Sequence, residues 1–244
     1  MARRLLGSFS VPPITLRILI ATAVVTIVSV VARNVGYPQL LEALILQPAE
    51  VLHGFKIWQV LTYVFVTGGD PISFLIDLVV LYFFGGWFER SFGPKRFTRF
   101  FLLSAVGAAV LPLAVSLFSA STALVAYYGA WSVFEALTVA MGVLQPGAQV
   151  YFYMVLPVTA RQLMFLSWGL LGLFIVFNHQ LSPYLTAIGG IGMGFLLSLG
   201  VSGPRRWWLR VQAARLERTL RRRAQHLRVV PKNGEDKKKD TYLH

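Results

Sequence analysis

Only two carboxylates, Asp77 and Glu135, fall deep inside the apolar blocks of this sequence, and a charge at mid-bilayer costs about 2.5 to 3.5 kcal/mol on insertion scales. Both must therefore face other helices. Held on one water they would suit an aspartyl-type hydrolase, which needs the two carboxyls within reach of each other. Held apart, each is either a satisfied interhelical hydrogen bond or a site for a proton, an ion or a polar group of a substrate. Ser132 is a candidate nucleophile, but a serine hydroxyl needs a neighbouring base. Of the four histidines, His226 and His244 lie in a C-terminal tail, His53 in a loop and His179 at the end of an apolar block. Cysteine is absent, which removes thiol catalysis, disulfides and thiolate metal sites. No metal and no cofactor is expected.

The elements that must position these residues are membrane helices. The chain is 56% hydrophobic and 14% charged, with a mean hydropathy of +0.63, against roughly 25% charged in a soluble domain. Apolar blocks run near residues 14–32, 72–88, 98–118, 122–143, 163–178 and 184–201, each able to cross about 30 Å of hydrocarbon as a helix, the fifth only barely. The first is too long for the core of a secretory signal and reads as a retained helix. Arg3, Arg4 and Arg17 flank the first block, Arg90, Lys95, Arg96 and Arg99 follow the second, and Arg161 follows the fourth. By the positive-inside rule six helices with both termini cytosolic fit this pattern. The mixed segment from Gly36 to Tyr63 should fold in the outer interface, with Trp58, Trp168 and the outer tyrosines as interfacial anchors. Gly190 and Gly194 sit at i and i+4 in the sixth block, where small residues let another helix approach closely.

Several ordered stretches resemble the rhomboid superfamily of intramembrane serine proteases and their inactive relatives. Trp58-Gln59 followed by Leu61-Thr62-Tyr63 looks like the family's first-loop motif. Gly85 through Glu89-Arg90 and Gly93 is similar to the end of its second helix. Gly129-Ala130-Trp131-Ser132 resembles Gly-x-Ser-Gly at the head of its fourth helix, with Gly129 a packing glycine. Leu156-Pro157-Val158 is similar to the fourth-to-fifth helix connection, and Thr186 to Gly194 to the sixth-helix His-x-x-Gly-x-x-x-Gly.

The resemblance implies a nucleophile at Trp131 and a base at Ala187, with oxyanion donors at Ser73 and Asp77. None of these residues can play its part: an ionised Asp77 would repel an oxyanion, and Gln59 stands where the family has arginine. Ser132 lies one helical position from the missing serine, about 100° around the helix. The expectation is therefore an inactive rhomboid-like protein, a pseudoprotease, that binds transmembrane segments of client membrane proteins through a cavity lined by Ser73, Asp77, Trp131, Ser132 and Glu135. Trp131 would plug or reshape that cavity. An endopeptidase of unorthodox residues is the alternative, and a polar-lined channel or carrier using Asp77 and Glu135 a second.

The tail from Pro204 onward carries 13 basic and 4 acidic residues. Leu209, Ala213, Leu216, Leu220, Ala224 and Leu227 recur at helical spacing among Arg205, Arg206, Arg210, Arg221, Arg222 and Arg223, so an amphipathic helix on anionic lipid headgroups is expected. Nucleic acid is the weaker alternative partner. The expected fold is an all-α, six-transmembrane-helix rhomboid-like bundle over residues 1–203, with a basic cytosolic helix over 204–230 and a disordered tail over 231–244. A bacterial inner membrane is the expected location.

Overall fold

The computed structural model describes residues 11–67, 70–152 and 156–202. The chain divides into two compact units, residues 1–201 and 202–244. The expected basic helix, with its headgroup-binding arginines and the tail beyond, lies outside the described residues, as do Arg3 and Arg4.

Among the described residues five helices are long and apolar enough to cross a membrane. They are α1 (Pro13–Asn34), the continuous run from Pro71 to Phe92, α7 (Pro94–Ser116), α10 (Ala160–Asn178) and the run from Ser182 that contains α11 (Leu185–Ser202). The run from Pro71 consists of α5 (Pro71–Val80), a π-helical turn over Leu81–Gly85, and α6 (Gly86–Phe92). Proline at the first turn of α1, α5 and α7 fits the place where an amide hydrogen has no helical acceptor. Gly93 separates α6 from α7 at φ +87°, a conformation that side chains resist. α10 opens on a capping box between Thr159 and Gln162, so the fifth apolar block is three residues longer at its start than hydropathy alone indicates.

The fourth block departs from expectation. Residues 124–130 are not helical, and only α9 (Trp131–Leu144) follows, 14 residues long, or about 21 Å. Tyr127 instead exchanges backbone hydrogen bonds with Leu46, at 2.8 and 2.9 Å, and its hydroxyl donates to the Ser182 carbonyl. Gly129 then turns the chain into α9 at φ +92° and donates its N–H to the Tyr63 carbonyl. It is a turn glycine and not the packing glycine expected. α9 is buried on every face, as a helix apolar all round must be.

The segment after α1 folds into three short helices, α2 (Gln39–Leu44), α3 (Pro48–His53) and α4 (Gln59–Thr62), followed by a 3-10 turn over Tyr63–Phe65. A short helix, α8 (Ala120–Ala123), follows α7. The chain is mostly but not wholly helical, because β1 (Gln149–Phe152) and β2 (Leu156–Thr159) pair antiparallel between α9 and α10. The i, i+4 glycines are used as close contacts. A Cβ on Gly190 would collide with the Ser132 carbonyl, and one on Gly194 would meet the Ala136 carbonyl at 2.8 Å. Gly189 meets Ala108 of α7 in the same way, at 2.6 Å, so α11 is wedged between α7 and α9.

Candidate functional site: the cleft at the head of α9

Trp131 and Ala187, on helices far apart in sequence, line one open cleft of about 330 Å³ together with Tyr128, Phe174, Tyr184 and Thr186. Trp131 opens α9, and Ala187 lies in the first turn of α11. Trp131 is 38% exposed, so it forms a wall of the cleft and does not fill it. Its ring packs on Phe134. On its other side the same tryptophan borders a narrow crevice of about 20 Å³ between α5 and α9, lined also by Ile76, Asp77, Val80 and Phe134. That volume holds about one water.

Ser132 points elsewhere. It is 1% exposed, and its hydroxyl lies 2.8 Å from that of Tyr63, which donates onward to the Ala105 carbonyl at 3.0 Å. Burial pushes the Tyr63 hydroxyl above its ordinary pKa, so it stays protonated at neutral pH and offers Ser132 no base. His53 and His179 are both exposed, His179 at the left-handed end of α10. The structure thus ties Ser132 into a helix contact between the 3-10 turn, α7 and α9.

The two intramembrane acids are not brought together. Asp77 lines the crevice beside the Thr67 hydroxyl and the Ala130 N–H at the head of α9, where the partial positive charge of a helix N-terminus favours a carboxylate. Glu135 looks the other way. It is fully buried against α10, where Ser167 donates to Oε1 at 2.6 Å, and Oε2 has no partner among the described residues. Glu135 therefore does not share the cavity expected for it. Ser73 does not either: it is exposed on α5, and its N–H is taken by the N-cap carboxylate of Asp70.

The first-loop motif is held by a dense set of hydrogen bonds around Gln59. Gln59 is fully buried, donating from Nε2 to Glu50 Oε2 at 2.7 Å and to the Glu42 carbonyl, and accepting the Gln47 N–H on Oε1. An amide can do both, having donors and an acceptor on one group. Burial alone would raise the Glu50 pKa, but hydrogen bonds from Lys56 and Gln59 outweigh it and hold the carboxyl below its ordinary value. Trp58 is half exposed and donates its indole N–H to the Ala43 carbonyl at 2.8 Å. Trp168 is no interfacial anchor. Its indole nitrogen is buried, and its ring packs against Phe165 and Phe195.

Two buried polar contacts escape sequence reasoning. Glu89 is a buried acid, as Glu135 is, accepting the N–H groups of Ile14 and Thr15; its place four residues after Gly85 in an apolar run is the available signal. Tyr63 is the other, visible only as the aromatic that closes the first-loop motif.

Nothing among curated proteins matches this chain. Residues 17–198 match the family model described as Eukaryotic integral membrane protein (DUF1751). That stretch begins in α1, ends in α11 and takes in α9 and its cleft, and the chain belongs to this family of eukaryotic integral membrane proteins.

Proposed function

We propose that the protein is a rhomboid-like pseudoprotease: a six-span bundle that engages transmembrane segments of other membrane proteins without cleaving them. The observation that carries this reading is the pairing of Trp131 and Ala187 in one cleft. The positions equivalent to nucleophile and base line one cleft, yet an indole and a methyl group can neither attack a carbonyl nor take a proton. α9 is the sixth span, short because its neighbours enclose it. α5 supplies the route in. None of its residues is buried, and Ile72, Leu75, Ile76 and Val79 present an apolar row to the bilayer. α10 presents a second row in Phe165, Leu166, Leu173 and Phe177.

The exposed cations Arg90, Lys95, Arg96, Arg99 and Arg161 cluster at the junctions from α6 to α7 and from the hairpin to α10. These junctions favour the cytosolic side, with both termini there. A eukaryotic family gives no support to the expected bacterial inner membrane, and the membrane proposed is a eukaryotic one. The channel reading loses its basis, since Asp77 and Glu135 lie against different partners. The test combines two measurements on the full chain in native membranes. Photo-crosslinking from positions 75 and 165 should recover transmembrane segments of other proteins. A serine-reactive fluorophosphonate should give no labelling, and labelling that disappears in Ser132→Ala would overturn the proposal.

A further inference from the structure

Asp77 is the one charged residue among those lining the crevice between α5 and α9, the rest being apolar. Thr67 and Ala130 lie against its carboxylate, but a carboxylate has about four lone-pair sites, so acceptor capacity remains on the crevice side. Asp70, at the head of the same helix, adds negative charge near it. Beside it, Ile76 is 50% exposed to the bilayer. A helix laid along α5 would therefore bring its side chains to the mouth of this crevice. Asp77 lies about 9 Å along the helix from Pro71, within the outer half of the span.

We infer that Asp77 selects the occupant: a transmembrane segment carrying a lysine or arginine in the outer half of its span. This rests on the client-binding reading above and names the chemistry of the client. The driving force is charge complementarity under hydrocarbon. A lone basic residue is costly in the bilayer, and the crevice offers it an acceptor that an all-leucine segment has no use for. Lysine or arginine reaching from the lipid side donates into the free lone pairs of Asp77, while the apolar part of the segment packs on Ile76, Val80 and Phe134. Trp131 lines the same crevice, and its bulk limits how deep the basic group can enter.

The test uses the full-length protein with a photoreactive residue at position 76, in phosphatidylcholine vesicles with synthetic single-span leucine-rich helices. One helix carries a lysine at the depth of Asp77, a second carries it two turns nearer the inner end, and a third carries none. The matched-depth lysine should raise crosslinking about 3- to 10-fold over the leucine-only helix, the range expected for one interhelical polar contact. The displaced lysine should lose that advantage. Asp77→Asn should abolish the preference and Asp77→Glu should keep it, with thermal unfolding in detergent checking that both variants fold. Equal crosslinking of all three helices would overturn the selection by Asp77 and leave client docking standing. No crosslinking of any helix, from position 76 or from position 134, would overturn docking itself.

Discussion

Thr15 donates both its backbone N–H, at 2.7 Å, and its hydroxyl, at 2.8 Å, to Oε2 of Glu89. Ile14 donates its N–H to the other oxygen at 3.0 Å. α1 has no side-chain cap of its own, so a carboxylate from α6 takes orphan donors of its first turn. Glu89→Ala strands those amides in a buried site and should destabilise the fold by about 1 to 3 kcal/mol. Glu89→Gln, which keeps one acceptor oxygen, should cost less. Thermal unfolding of both variants in detergent measures the difference, and equal stability to the parent would show that the cap contributes nothing.

The glycines of α11 give a matched comparison. A methyl at Gly190 runs into the Ser132 carbonyl, whereas one at Gly192 meets nothing within 4 Å. Gly190→Ala should lower the unfolding temperature or block folding, because backbone cannot yield as a flexible side chain can. Gly192→Ala should be neutral or slightly stabilising, alanine being the better helix former by about 1 kcal/mol. A parallel loss in both variants would mean that the effect is one of glycine in general and not of the α9 contact.

Tyr63 and Ser132 should behave as a coupled pair. Tyr63→Phe removes the hydroxyl that joins Ser132 to the Ala105 carbonyl, and Ser132→Ala removes the other end. Each change should destabilise by about 0.5 to 1.5 kcal/mol, and the double variant by less than the sum, since both delete one interaction. Strict additivity in the double-mutant cycle would remove Ser132 from the packing role assigned to it.

These contacts also show which parts of the fold can be read from sequence. Apolar runs long enough to span the bilayer announce α1, the Pro71–Phe92 helix, α7, α10 and α11, and the Gly190 and Gly194 spacing announces a close helix contact. Residues 124–130 are misread because Leu124, Val125, Tyr127 and Tyr128 are as apolar as a helix. Only the isolated bridge to Leu46 reveals that Tyr127 hydrogen-bonds across and not along the chain. Glu89 hides for the same reason, its partner being 74 residues away. Trp131 and Ala187 are linked by resemblance alone, since neither spacing nor residue type predicts a shared cleft. Asp77 and Glu135 are both legible as acids within the spans, but which neighbour each one meets, the head of α9 for Asp77 and Ser167 of α10 for Glu135, depends on packing that hydropathy does not encode.

The loop between α1 and the Pro71–Phe92 helix should respond to acid through Glu50. Its folded-state pKa lies below its ordinary value of 4.5, so the stability it contributes is full above that value and is lost as the pH falls through the lower, folded-state value. Protonation weakens the 3.0 Å ion pair with Lys56 and the bond to Gln59, whose Oε1 holds the Gln47 N–H. Hydrogen exchange at the Gln47 amide, corrected for its intrinsic rate, should therefore speed up as the pH drops below about 4.5, while the amides of α7 stay protected. Because Glu50 and Lys56 are about a third exposed, the ion pair itself is screened and the effect should be modest and smaller at high salt. Glu50→Gln should show the faster exchange already at neutral pH and lose its dependence on pH. Unchanged exchange at Gln47 across this range would mean that Gln59 holds the loop through the Glu42 carbonyl and its own burial, with Glu50 a surface charge of no consequence.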